Sequence, residues 1–165
     1  MGDMNRKLLK ISVAVGIAIL FVVAGIYAKT TPDTIPLQDP AYKEHEKGVV
    51  HFEHKKHWDD YSKKYPEFYK NGCGECHHDE NNKPRTELKD GDDVKKCIEC
   101  HKIASEAPKG KNAKKKLSKK EKIKDYHAEA LHENCKGCHK KYNKQYKPKQ
   151  KAPTTCAKCH PKKAE

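Results

Sequence analysis

Eight cysteines stand in four pairs of identical spacing: Cys73 and Cys76, Cys97 and Cys100, Cys135 and Cys138, Cys156 and Cys159. Each pair is followed at once by a histidine, His77, His101, His139 or His160. Paired cysteines serve three chemistries. They close disulfides in an oxidising compartment. They hold zinc, and the 20 residues between Cys76 and Cys97 and the 17 between Cys138 and Cys156 lie within the range of four-cysteine ribbons. They also attach haem c, where two thiols add to the vinyl groups and the next imidazole becomes the proximal iron ligand. Only this last chemistry needs a histidine after every pair. Against a background of 11 histidines in 165 residues, four such coincidences would arise by chance about two times in a hundred thousand. The reading is therefore four covalent haem c groups, carried on the eight cysteines with the four following histidines as proximal ligands.

Each iron then needs a sixth ligand. Seven histidines remain: His45, His51, His54, His57, His78, His127 and His132. The two methionines, Met1 and Met4, lie at the extreme N-terminus, so bis-histidine ligation is expected at every iron. His77 and His78 are adjacent, and adjacent residues of a helical turn point about 100° apart. They cannot serve one iron, so His78 must reach a neighbouring haem and bring two macrocycles close together. His54 and His57 are three apart, on one face if helical.

The elements that position these groups come from a chain with little apolar material. Residues 29–165 hold only 14 Ile, Leu, Val, Met, Phe or Trp, too few to offset the entropy of ordering a chain of this length. Four apolar macrocycles would supply the missing core. The expected fold is small and mainly α, with much irregular loop structure, at most a short β-hairpin, and a core formed by the haems. Val49 to Phe52 reads as a short strand, and Lys119 to Glu133 as the best long helix, leading into the third cysteine pair. Trp58, Tyr61, Tyr65 and Phe68 form an aromatic stripe at helical spacing that Pro66 interrupts, and it is expected to pack on haem faces.

Arg6, Lys7 and Lys10 precede a weakly polar-to-apolar run from Ile11 to Ala28, the pattern of an export signal. Its length leaves two outcomes, cleavage after Ala28 or retention as an inner-membrane anchor. Residues 1–28 are thus a signal or anchor, 29–47 a linker or N-terminal extension, and 48–165 the haem domain.

The order VVxFxHxxH, then CGECHH, then three further CxxCH motifs resembles the tetrahaem class III cytochromes c (cytochrome c3) over about Gly48 to Lys163. The resemblance implies that His54 caps the first haem, His78 the second and His57 the third. It places the fourth ligand between the second and third motifs, where ALHENCKGCH favours His132 over His127. All four motifs here are CxxCH, where familiar members often use a longer CxxxxCH at the second and fourth haems. A lysine-rich insertion also separates the second motif from the third. The resemblance further implies a periplasmic electron carrier of anaerobic respiration, working between hydrogenase or formate dehydrogenase and membrane redox complexes, and not an enzyme. Two rivals remain: a multihaem reductase of a small oxyanion or metal, which would need an open iron, and a subunit of an extracellular haem filament, for which His45 and His51 are spare.

Charge bears on partners. The chain has 36 basic and 23 acidic residues, net +13. Residues 29–94 carry 11 basic and 15 acidic residues, net −4, and residues 95–165 carry 22 and 7, net +15. A basic half of this density steers encounter with acidic redox proteins. Nucleic acid is rejected as a partner: export separates the two, and 34 of the basic residues are lysine, lacking the guanidinium fork used to read bases. Membrane association is open through residues 11–28, with anionic lipid headgroups a milder alternative partner of the basic surface, and the protein is expected to be a monomer.

Overall fold

The computed structural model describes residues 30–110, 113 and 116–162. The export or anchor segment at 1–28, and Lys114 and Lys115 of the lysine-rich insertion, lie outside these residues. Strand β1 (Ile35–Leu37) pairs antiparallel with β2 (Val50–Phe52), with Ile35 opposite Phe52 and Leu37 opposite Val50. The expected strand is present, one residue shorter. Its partner comes from the stretch read in sequence as a linker.

After β2 the chain winds into a π-helical segment, Lys56–Tyr61, continued by one α-turn, α1 (Ser62–Lys64). Tyr65 leaves the helix at φ −135° because the proline that follows disfavours the α conformation, and Pro66–Phe68 restart as a 3-10 turn. The aromatic stripe is broken there, as its proline requires. Its second half packs on protein: Tyr65 lies 5.0 Å from Tyr142 and 5.2 Å from Tyr146, ring centre to ring centre, and Phe68 lies 6.1 and 6.2 Å from the same rings.

The first cysteine pair lies in and at the end of a 3-10 turn, Gly72–Glu75, with Cys76 as its C-cap, and the others occupy the helices α2 (Cys97–Cys100), α4 (His127–Tyr146) and α5 (Cys156–Cys159). The long helix starts at Lys119 as expected but differs in its middle and at its C-terminal end. It begins as α3 (Lys119–Asp125), capped by Ser118 and Glu121, which bond each other's backbone N–H groups. It breaks at Tyr126, which is extended because Ile103 forms a parallel bridge with it: the Ile103 N–H donates to Asp125 O and the His127 N–H to Ile103 O. Helix α4 then runs through the third cysteine pair to Tyr146, well past Glu133. No proline interrupts it, and it ends where Lys147 turns left-handed at φ 43° ahead of Pro148.

The side chains do not make a core of their own. Among the described residues Ala107 is the buried apolar residue, His127 the buried polar one, and no large side chain is fully enclosed. Contacts divide the chain into a small unit, of which Thr30, Thr31 and Lys89–Asp92 are described, and a main unit of Pro32–Leu88 and Asp93 onward. In the small unit the Thr31 N–H donates to Asp90 Oδ1, and the Gly91 N–H, at φ 86°, donates to Thr31 Oγ1.

Candidate functional site: four CxxCH turns and four histidine couples

Each CxxCH is one helical turn. The His77 N–H donates to Cys73 O, His101 to Cys97 O and His160 to Cys156 O at 2.7–3.0 Å, and the third motif lies within α4. Cysteines at i and i+3 and a histidine at i+4 therefore share one face of each turn. The eight thiols are free of disulfides. Among the described residues no three His, Cys, Asp or Glu side chains gather as a zinc ribbon would require. The third motif stands among the others: the half-buried Cys135 thiol is pushed up to about 11 by burial and by nearby Cys159, Cys97 and Cys138.

Eight histidine rings stand in four couples. Centroids are 6.5 Å apart for His54 and His77, 5.9 Å for His78 and His101, 6.2 Å for His57 and His139, and 6.3 Å for His132 and His160. Two imidazoles trans on one metal, each with a bond of about 2 Å and about 1 Å from nitrogen to ring centre, have centroids about 6 Å apart. Every couple joins one CxxCH histidine to one that lies outside the proximal set. Adjacent His77 and His78 diverge to different couples, His78 being drawn out by an antiparallel bridge to Pro84.

The backbone orients these rings. His101 Nδ1 donates to Lys124 O at 3.0 Å, His139 to Pro153 O at 2.7 Å, His160 to Gly48 O at 3.0 Å, His57 to Glu53 O at 2.9 Å and His78 to Asp79 O at 2.7 Å. A carbonyl only accepts, so the proton sits on Nδ1 and the Nε2 lone pair is left for a metal. His132 Nδ1 lies 3.9 Å from Glu106 Oε1. Burial holds His57, His77 and His132 below the usual imidazole range, which keeps them neutral as ligation demands. Two glycines let backbone approach closely. A Cβ on Gly48 would meet Pro161 O at 2.4 Å, and one on Gly74 would meet Arg85 N at 3.0 Å, where the Arg85 N–H donates to His77 O.

Three histidines stand apart from the couples. His127 is buried and shares a hydrogen bond at Nδ1 with Tyr42 Oη, 2.9 Å away, with its charged form disfavoured by burial. His45 stacks on the same tyrosine, Tyr42, at 5.7 Å. His51 is exposed on β2 opposite Pro36.

The sequence profile of the class III cytochrome c family matches residues 32–160. The chain belongs to the class III cytochrome c family. Comparison with curated proteins and with solved structures finds no match. Cytochromes of this class bind c-type haem covalently and work as multihaem electron carriers. The residues of this class III cytochrome fit that group on two counts: the four turns present paired thiols beside an imidazole, and the side chains leave the core to something else. Sequence reading passed over Gly48, Tyr42, Glu106 and the carbonyls of Lys124 and Pro153. A carbonyl leaves no mark on residue type. Only Gly48, just ahead of the VVxFxHxxH run, offered a visible signal.

Proposed function

We propose that this class III cytochrome is an exported tetrahaem electron carrier with bis-histidine ligation at every iron. The observation that carries the reading is the set of four imidazole couples at 5.9–6.5 Å. Cys73 and Cys76 with His77 and His54 would hold the first haem, and Cys97 and Cys100 with His101 and His78 the second. Cys135 and Cys138 with His139 and His57 would hold the third, and Cys156 and Cys159 with His160 and His132 the fourth. When bound, each haem supplies a one-electron iron couple whose potential depends on axial ligands, hydrogen bonds and exposure.

The chain's own part is to place the rings and restrict their protonation. Eight imidazoles would satisfy four irons and leave no coordination position for a substrate, so the reading is electron transfer and not catalysis. Phe52 lies 5.8 Å from His54 and 4.7 Å from His57, so the first and third couples share one aromatic neighbour. The basic C-terminal half supports docking of an acidic redox protein, of the hydrogenase, formate dehydrogenase or membrane-complex kind, as in anaerobic respiration. The signal-like segment at 1–28 supports service in the periplasm, with an inner-membrane anchor as the outcome if it is retained.

Expression with a haem-attachment system, followed by intact mass after denaturation, tests the reading. Thioethers survive unfolding, so the expected mass exceeds the polypeptide by four haems, with all four ferric irons low spin. A zinc-loaded product, fewer than four haems, or one high-spin iron in the native protein would overturn it.

A further inference from the structure

Asn143 sits one helical turn beyond His139 on α4, on the same face. Its amide is used at both ends: Nδ2 donates to Ala152 O at 2.9 Å, and Oδ1 accepts from the Ala152 N–H at 2.8 Å. This paired contact, half-buried, grips the loop between the third and fourth motifs by its backbone. The next residue is Pro153, whose carbonyl receives the His139 Nδ1–H at 2.7 Å. Pro153 has no N–H of its own with which to anchor itself. The loop starts at left-handed Lys147 and doubles back along α4 to bring Ala152 and Pro153 beside the helix.

We propose that Asn143 is a positioning residue for the third haem, holding the Pro153 carbonyl against His139 and thereby setting the basicity and orientation of that ligand. The inference rests on His139 being an iron ligand, as proposed above. An imidazole that donates strongly through Nδ1 is the more basic ligand, and it favours ferric over ferrous iron. Weakening that bond raises the midpoint potential of its haem. Two other CxxCH histidines lean on different carbonyls, Lys124 O for His101 and Gly48 O for His160, and neither of these carbonyls belongs to the loop that Asn143 grips, so the effect is expected at one centre. The amide orientation has one consistent assignment here, because a carbonyl must be met by the NH₂ end and an N–H by the oxygen.

The test is Asn143→Leu, which removes both bonds while keeping the branched side-chain shape, with the smaller Asn143→Ala as a helix-compatible second variant. Each is purified with its haems, weighed, and titrated potentiometrically, with the haem resonances assigned through the His57 and His139 rings. The expected result is four haems, all low spin, with the midpoint of the haem beside His57 and His139 shifted upward and its ferric EPR g-values changed, while the other three hold. Four unchanged midpoints, or four that move together as general loosening would produce, would overturn the inference while leaving the ligand assignment intact. Failure of that assignment reads differently: the unaltered protein would then show a missing haem or a high-spin centre before any variant is made.

Discussion

The carbonyl of Gly48 accepts the Nδ1–H of His160 at 3.0 Å across 112 residues of chain. The approach depends on glycine, since a Cβ at position 48 would lie 2.4 Å from Pro161 O and 2.8 Å from the proline ring. Both obstacles are rigid, so the segment that carries His160 would have to move.

Gly48→Ala is therefore expected to cost about 1–3 kcal/mol, the usual range for overpacking. It should also disturb the fourth centre before the others. Denaturant melts of the haem-loaded protein measure the first effect. The EPR signal of the haem proposed at Cys156 and Cys159 reports the second.

The two histidines offered in sequence for the fourth iron occupy different surroundings. His132 faces His160 at 6.3 Å, whereas His127 is taken up by Tyr42. On the proposed ligand set, replacing His132 by alanine is expected to turn one of the four proposed irons high spin and open it to carbon monoxide when reduced. His127→Ala should leave all four low spin, at a stability cost of about 1–3 kcal/mol because the Tyr42 hydroxyl loses its hydrogen-bond partner. Optical and EPR spectra of the two variants distinguish the roles; a high-spin centre in His127→Ala would reverse them.

Tyr142 is the hub of the aromatic group that joins the end of α4 to the Pro66 turn. It donates a hydrogen bond to Tyr65 Oη at 3.1 Å and lies 5.0 to 6.1 Å from Tyr65, Tyr146 and Phe68. Aromatic pairs contribute about 0.5–1.5 kcal/mol each beyond their buried area. Tyr142→Ala should destabilise the protein by about 2 kcal/mol, seen as a lower midpoint in guanidinium. Tyr142→Phe keeps the ring packing and should recover most of that stability.

Docking through the basic half predicts a salt-dependent rate. Reversing Lys114, Lys115 and Lys116 to glutamate should slow reduction by an acidic donor roughly tenfold at low ionic strength. The difference should shrink as the Debye length falls to about 8 Å at physiological salt. Haem potentials should change little. Stopped-flow reduction across ionic strength checks this, and equal rates at low salt would mean that the lysines serve solubility alone.

Local chemistry was readable from residue order. A CxxCH motif needs only one turn of helix to bring two thiols and an imidazole to one side, so its meaning travels with the sequence. The shortage of apolar residues likewise announced that the polypeptide would not build its own core, and the side-chain burial bears this out. Strand β2 and the break before Pro66 were legible for the same reason, being set by neighbours a few positions away. Tertiary structure alone decided the rest. The facing of His57 to His139, or of His132 to His160, depends on where separate segments cross, and spacing within one motif contains nothing of that; the family resemblance had to stand in for it. The break at Tyr126 depends on a bridge from Ile103, and the proton on Nδ1 of His160, His101 and His139 depends on carbonyls supplied by Gly48, Lys124 and Pro153. Backbone groups are the same in every residue, so only their placement in the fold gives them a role.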